Sequence, residues 1–147
     1  MPSLPLLLKP EHTVDLTGVD RVGVLRGLTE LAAPVAGLEH EALLQAVLER
    51  EELASTGFGD GLAMPHVRLS KARAFATVLG RAPTPIPFGA IDGAPVDLLL
   101  LIVGPEAERE RYQKLLARAA RFLKAEGPRL RGARDLAAAT AELLVEY

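Results

Sequence analysis

The sequence predicts an α/β protein in which helices cover a mixed β-sheet, as in an α/β sandwich. Two helical segments come first, several short strands follow, and two further helical segments close the chain. Near the centre of the second half, Val96 to Val103 is dominated by leucine and β-branched residues. Runs of this kind are typical of a strand that is buried on both faces. The order of elements and this strand together favour a sheet between helices.

The first two helices are predicted from apolar residues at helical spacing. Asp20 is expected to cap a helix over about Arg21 to Leu31. Pro34 and Gly37 are expected to end it, because both residue types are unfavourable inside helices. A second helix is predicted from about Glu39 to Leu53, with its leucines on the buried side.

Short strands are predicted in the middle of the chain. Leu62 to Met64 is brief, and Ala72 to Gly80 is longer and richer in strand-forming residues. Pro85 to Phe88 is expected at a sheet edge, because proline cannot donate to a ladder of hydrogen bonds. Asp92-Gly93 is a turn signal between this segment and the buried strand.

The last part of the sequence predicts two helices. One is expected from about Glu106 to Lys124, with Gly127-Pro128 ending it. The other is expected from about Ala133 to Tyr147. No repeat or linker divides the chain, and 147 residues are enough for a single core, so we expect one domain over residues 1–147.

Composition excludes several classes of function. Apolar residues make up 49% of the chain and charged residues 24%, which is typical of a globular protein. The 17 basic and 19 acidic side chains leave no basic excess, so we expect no nucleic-acid partner. The longest apolar run, Leu98 to Val103, is too short to span a bilayer. No signal segment is recognisable, and a cytoplasmic protein is expected.

Metal and cofactor sites are not predicted either. The chain has no cysteine and only three scattered histidines, so no ligand set for a metal ion emerges. Gly57, Gly59 and Gly61 do not match the dinucleotide-binding fingerprint. We therefore expect no cofactor, and His12 and His40 are interpreted as structural or exposed residues.

The segment from Leu53 to Leu69 contains the candidate functional residue. Three glycines at alternate positions predict a shaped loop, which leads into a short apolar run and then Pro65-His66. Proline fixes the backbone before the histidine and is expected to stop the strand there. A neutral imidazole is a good nucleophile near neutral pH. The alternative interpretation is an ordinary loop or surface histidine.

A longer pattern supports the chemical role. Ser-Thr-Gly-Phe-Gly-Asp-Gly-Leu-Ala-Met-Pro-His, ending at His66, follows Leu48-Glu49-Arg50-Glu51. This pattern resembles the signature of the enzyme IIA proteins of the phosphoenolpyruvate-dependent phosphotransferase system, in the fructose/mannitol type that includes a nitrogen-regulatory branch. The likeness runs from about Leu6 to Tyr147. It implies an α/β sandwich and a phosphoryl group carried on Nε2 of His66.

The resemblance also implies roles for other residues. It places the family's motif arginine at Arg50 and its loop threonine at Thr56. A guanidinium pairs well with phosphoryl oxygens, and a threonine hydroxyl or loop amides add hydrogen bonds. The alternatives are a charged surface residue for Arg50 and a simple turn residue for Thr56. Arg68 is interpreted as a surface residue with at most a steering role.

Tyr112 is a departure from the family pattern. Many members have a second histidine at the start of the helix after the buried strand, and Tyr112 stands at that position. A tyrosine hydroxyl can donate a hydrogen bond to a phosphoryl oxygen, but it does not carry the charge or shuttle the proton of a histidine. This departure weakens the expectation of efficient onward transfer and leaves phosphorylation of His66 intact.

Two functions are therefore considered. The first is a phosphocarrier that accepts a phosphoryl group on His66 from the phosphohistidine carrier protein and passes it to an enzyme IIB component or uses it as a regulatory signal. A stand-alone regulatory member is favoured over a multidomain permease. The second is a non-catalytic interaction module with an enzyme IIA fold, which docks a regulatory partner. Neither function requires insertion into a membrane.

Overall fold

A computed structural model describes residues 3–147 of the chain. The helices are α1 (Leu4–Leu7), α2 (Arg21–Ala36), α3 (His40–Leu53), α4 (Arg109–Gly132) and α5 (Leu136–Leu143). The strands are β1 (Thr13–Asp15), β2 (Gly57–Gly59), β3 (Leu62–Ala63), β4 (His66–Leu69), β5 (Ala76–Ile86) and β6 (Val96–Pro105). Single 3₁₀ turns lie at Pro10–His12 and Leu144–Glu146.

All six strands form one mixed sheet, which confirms the predicted fold class. The order is β1-β5-β6-β3-β2, and β4 also pairs with β6, beyond β3 along the same side. β5 and β6 are antiparallel, as are β2 and β3, whereas β1 is parallel to β5, and β3 and β4 are parallel to β6. β6 is therefore the central strand, and β4 lies beside its C-terminal half.

β6 separates two apolar cores, as its sequence predicted. Its side chains alternate between the cores because successive residues of a strand point to opposite faces. Leu99, Leu101 and Val103 join the core formed with α2 and α3. Leu98, Leu100 and Ile102 join the core formed with α4. The sheet is thus covered by helices on both faces.

The predicted starts of the first helices agree with the structure. Asp20 precedes α2, and its Oδ1 accepts a hydrogen bond from the Gly23 amide at 2.7 Å. Glu39 caps α3 in the same way, through the Ala42 amide at 2.8 Å. Gly37 ends α2 with a left-handed φ of 72°, a conformation that glycine adopts without a steric penalty.

Two predicted helix ends were wrong. α2 continues past Leu31 and contains Pro34, and α4 continues past Lys124 through Gly127-Pro128 to Gly132. Both prolines are exposed, so their rings point away from the cores. Buried residues on the far side of each proline, Ala36 and Leu130, gain contacts in the two cores. This burial outweighs one missing backbone hydrogen bond in each helix.

The predicted strand boundaries also needed correction. The strand expected over Ala72 to Gly80 begins at Ala76 and runs to Ile86, so it includes the first half of the separate edge segment expected at Pro85 to Phe88. The register of β5 on β6 is interrupted between Arg81 and Ile86. The prolines of β5 lie in this interrupted stretch, where no ladder hydrogen bond is required of them.

The glycine-rich segment is a β-hairpin instead of an open loop. β2 and β3 pair in antiparallel fashion around Asp60 and Gly61, whose φ values are 58° and 76°. Two central residues with positive φ fit the twist of a tight hairpin. β3 ends at Ala63, before Pro65, and a new strand, β4, begins at His66.

Some terminal elements also differ from the prediction. α1 and β1 were not predicted, and the last helix is shorter than Ala133 to Tyr147, since α5 ends at Leu143 and a 3₁₀ turn follows. Asp135 caps α5 through the Ala138 amide at 3.0 Å. Within residues 3–147, no helix combines the length and the hydropathy needed to cross a membrane.

Candidate functional site

His66 is the first residue of β4 and is half-buried beside the central strand. The preceding Pro65 has no amide hydrogen, and its carbonyl accepts a hydrogen bond from the Ile102 amide at 2.9 Å. The backbone on the N-terminal side of His66 is therefore fixed to β6. On the sheet, His66 lies on the same face as Ile102, which is the face covered by α4.

One hydrogen bond determines the tautomer of the His66 ring. Nδ1 lies 2.7 Å from the carbonyl oxygen of Met64. Because a carbonyl oxygen only accepts, Nδ1 carries the hydrogen and donates it. In the neutral ring, Nε2 then holds the free electron pair, and it has no hydrogen-bond partner among residues 3–147. The ring thus presents its nucleophilic nitrogen away from its own backbone.

A surface cavity of about 910 Å³ lies in front of this ring. It is lined by the C-terminal part of α3 between Ala46 and Leu53, by the four residues of β4, and by Tyr112 of α4. α3 and α4 cover opposite faces of the sheet, so the cavity opens at the sheet edge where the two helices approach β4. This geometry brings residues far apart in sequence around His66.

Arg50 lines the same cavity as His66. It occupies the last turn of α3, where the negative end of the helix dipole favours a cation. Its guanidinium donates a hydrogen bond to the Ala54 carbonyl at 2.8 Å. Arg50 and His66 both line the main cavity and a second depression of about 330 Å³ that contains Thr56. The remaining donors of Arg50 are available to an anion at the ring.

Arg68 belongs to the same cavity, although its sequence position indicated only a surface residue. It lies two residues after His66 on β4, so both side chains are on one face of the strand. Its guanidinium lies over the Tyr112 ring, with Cζ 5.6 Å from the ring centroid, and donates to the Glu106 carbonyl at 3.1 Å. Sequence alone did not reveal this role, because it depends on where α4 packs.

Tyr112 faces His66 from α4. The two ring centroids are 6.2 Å apart and the planes are tilted by 52°. Only 6% of the Tyr112 surface is exposed, and burial raises its pKa well above the ordinary value, although Arg68 and Arg50 oppose this shift. The hydroxyl is therefore protonated at neutral pH. It has no hydrogen-bond partner in the described part of the chain, so its hydrogen remains available at the cavity.

Thr56 is close to the site, but its hydroxyl hydrogen is engaged. It donates to Oε1 of Glu51, and the Thr56 amide donates to Oε2 at 3.1 Å. Glu51 was not predicted as a functional residue. A signal existed in the helix periodicity, because Glu51 lies four residues after the buried Val47 and so continues the buried stripe of α3.

The structure therefore brings the four predicted residues, His66, Arg50, Thr56 and Tyr112, to one region, and adds Arg68 and Glu51. Two guanidinium groups and one neutral hydroxyl surround an imidazole with an open Nε2. Such a set can position a tetrahedral oxyanion and stabilise its charge while the ring nitrogen acts as a nucleophile.

Comparisons with known proteins identify relatives of this chain. The family model for "Phosphoenolpyruvate-dependent sugar phosphotransferase system, EIIA 2" matches residues 7–138. A nitrogen regulatory protein of Bradyrhizobium diazoefficiens is 37% identical over 132 residues, covering 88% of this chain and 86% of that protein.

Solved structures share the fold. The crystal structure of nitrogen regulatory protein IIA-Ntr from Neisseria meningitidis has a TM-score of 0.89 and 25% identity, covering 97% of this chain and 99% of that one. The Escherichia coli enzyme IIAMTL, solved in complex with phosphorylated enzyme IIBMTL, has a TM-score of 0.76 and 20% identity, covering 96% of this chain and 100% of that one.

Proposed function

Because the chain belongs to the EIIA 2 family of the phosphoenolpyruvate-dependent sugar phosphotransferase system, we propose that it is a phosphocarrier that is phosphorylated on Nε2 of His66. The donor in this proposal is the phosphohistidine carrier protein of the cascade, and residues 1–147 act as one domain. The observation that carries the proposal is the hydrogen bond from Nδ1 to the Met64 carbonyl, which leaves the electron pair on Nε2.

The proposed reaction is an in-line transfer between two imidazoles. The electron pair on Nε2 of His66 attacks the phosphorus atom and forms a new nitrogen–phosphorus bond. The nitrogen–phosphorus bond of the donor breaks, and its electron pair returns to the donor's ring. The His66 ring becomes positively charged while Nδ1 keeps its hydrogen, and the Met64 carbonyl dipole stabilises that charge.

The neighbouring groups have distinct proposed roles. The guanidinium groups of Arg50 and Arg68 pair with phosphoryl oxygens and offset their charge. The neutral hydroxyl of Tyr112 donates a hydrogen bond, which does not depend on pH in the neutral range. Thr56 borders the second depression, and its hydroxyl reaches a phosphoryl oxygen only if it leaves Glu51.

The phosphoryl group then has two proposed destinations. One is an enzyme IIB component, which is the kind of partner present in the solved complex of the Escherichia coli protein. In the other alternative the phosphoryl group is not passed on, and the phosphorylated state itself acts as a signal to regulatory partners. The similarity to nitrogen regulatory proteins favours this second alternative.

Phosphotransfer can be tested directly. The protein is incubated with phosphoenolpyruvate, enzyme I and the carrier protein, and intact mass is measured before and after acid treatment. We expect a gain of one acid-labile phosphoryl group in the wild type and in His12→Gln, and none in His66→Ala. The absence of a gain in the wild type would contradict the proposal and favour a non-catalytic docking module, for which Tyr112 in place of the family's second histidine is the specific indication.

A further inference from the structure

Glu51 is a buried acidic residue in an unfavourable position. Only 3% of its surface is exposed, and no ion pair involves it within residues 3–147. It also lies in the last turn of α3, where the helix dipole disfavours a negative charge. Burying a carboxylate without a cation is unfavourable unless hydrogen bonds compensate. The hydrogen bonds of Glu51 should therefore indicate what the residue does.

Both oxygens of Glu51 bind the same neighbour. Oε1 accepts the hydrogen of the Thr56 hydroxyl, and Oε2 accepts the Thr56 amide at 3.1 Å. Hydrogen bonds to an ionised acceptor are stronger than neutral ones. This pair of bonds fixes both the backbone and the side chain of Thr56 relative to the end of α3.

Two further hydrogen bonds lead from Thr56 to the His66 ring. The Thr56 carbonyl accepts the Met64 amide at 3.1 Å, and the Met64 carbonyl accepts Nδ1–H of His66 at 2.7 Å. An uninterrupted series of contacts therefore runs from Glu51 through Thr56 and Met64 to the imidazole.

We propose that Glu51 is a positioning residue that holds the Met64 carbonyl where it selects the Nδ1–H tautomer of His66. The effect is geometric. The amide and the carbonyl of one residue belong to different peptide groups, so electronic polarisation is not transmitted from Glu51 to the Met64 carbonyl. A change in the position of Thr56, in contrast, changes the position of Met64. The consequence for phosphotransfer rests on the proposed function, because the selected tautomer is the one with a nucleophilic Nε2.

Other contacts hold the hairpin independently of Glu51. The Ser55 hydroxyl donates to the Phe88 carbonyl at 3.0 Å, and Arg131 donates to the Asp60 carbonyl at the hairpin turn. Removing one acceptor at Glu51 should therefore leave β2 and β3 folded. The change expected is a local loosening between Thr56 and Met64.

The test uses Glu51→Gln, which keeps the size of the side chain but replaces one acceptor oxygen with an amino group. Long-range proton–nitrogen NMR spectra of unphosphorylated protein report the tautomer of His66. We expect the Nδ1–H tautomer in the wild type and a mixture of tautomers in Glu51→Gln. Hydrogen exchange at the Met64 amide should accelerate about tenfold, as the loss of one hydrogen bond to a charged acceptor predicts.

Matched variants separate this effect from a change in charge. Glu30→Gln also removes one helical carboxylate, but Glu30 is exposed on α2, so we expect the wild-type tautomer and exchange rate. Thr56→Val removes the hydroxyl bond and keeps the amide bond, and should give a smaller change than Glu51→Gln. Thr56→Ser retains both bonds to Glu51 and should show the wild-type tautomer and Met64 exchange rate.

The kinetic readout distinguishes positioning from docking. In the assay with the carrier protein, Glu51→Gln should lower kcat about tenfold and leave KM unchanged, because only the ring geometry is altered. Wild-type tautomer and Met64 exchange in Glu51→Gln would overturn the inference, whatever the kinetics. If the wild type accepts no phosphoryl group, the proposed function fails, but the NMR comparison still decides the role of Glu51.

Discussion

Gly104 of β6 lies directly beneath the ring of Tyr112. A Cβ atom at this position would approach Cδ1 of Tyr112 to 2.9 Å and Cε1 of Phe75 to 2.8 Å, closer than carbon atoms pack. Both rings are buried, so neither can move freely. Gly104 also pairs with Arg68 in the sheet. Because glycine has no side chain, the Tyr112 ring can pack against Gly104 and lie close to both His66 and Arg68.

Gly104→Ala should displace Tyr112 and destabilise the protein. We expect the free energy of unfolding in urea to fall by about 1–3 kcal/mol, the usual range for overpacking a buried site. The rate of His66 phosphorylation should fall as well. Gly132→Ala is the matched control, since nothing beyond its own chain neighbours and helix backbone lies within 4 Å of its added Cβ, and its stability should not fall. Equal effects of the two substitutions would contradict the packing argument.

The two cationic side chains at the cavity should be needed for phosphotransfer but not for folding. Arg50→Gln removes one exposed hydrogen bond to the Ala54 carbonyl, so the urea midpoint should change little. The phosphorylation rate should fall about tenfold or more, as expected for a lost charge-assisted hydrogen bond. Arg26→Gln removes a comparable surface guanidinium that pairs with Glu41 on α3, and should keep the wild-type rate. A wild-type rate in Arg50→Gln would remove Arg50 from the site.

Tyr112 should make the protein less stable in alkaline solution. Burial raises its pKa in the fold, whereas in the unfolded chain the pKa is close to its ordinary value of about 10. Above pH 10 the unfolded state therefore binds fewer protons than the folded state, and stability falls as pH rises. Urea unfolding as a function of pH should show this decline, and Tyr112→Phe should reduce it. A decline of the same size in Tyr112→Phe would assign it to other groups, such as Tyr147, whose pKa is also raised.

Pro128 should reduce the stability of α4. Its nitrogen cannot donate to the carbonyl four residues earlier, and its exposed ring adds no core contact. Pro128→Ala should raise the free energy of unfolding by about 1–3 kcal/mol. Pro5→Ala is the control, because proline at the first turn of α1 displaces no helical hydrogen bond and its replacement should give no gain. A loss of stability in Pro128→Ala would show that the proline is favourable in this helix.

The local parts of the fold were readable from the sequence. The cap at Asp20, the helix start near Glu39, the helix end at Gly37 and the doubly buried strand β6 depend on neighbouring residues or on a short repeat. The predicted ends of α2 and α4 were wrong because proline was expected to end each helix. That expectation considers the lost backbone hydrogen bond but not the apolar surface that is buried by residues beyond the proline. The hairpin turns at Asp60-Gly61, the same Asp-Gly signal from which a turn was predicted at Asp92-Gly93.

Residue types at fixed spacing were enough to indicate the family resemblance, the mixed sheet covered by helices and His66 as the candidate residue. The packed structure was needed to see that Arg68 joins Tyr112 at that histidine and that Glu51 is linked to it through Thr56. These relationships depend on the register of β4 along β6 and on the packing of α4 over Gly104. Contacts between segments distant along the chain have no periodic signature, so they become visible only when the packed molecule is seen.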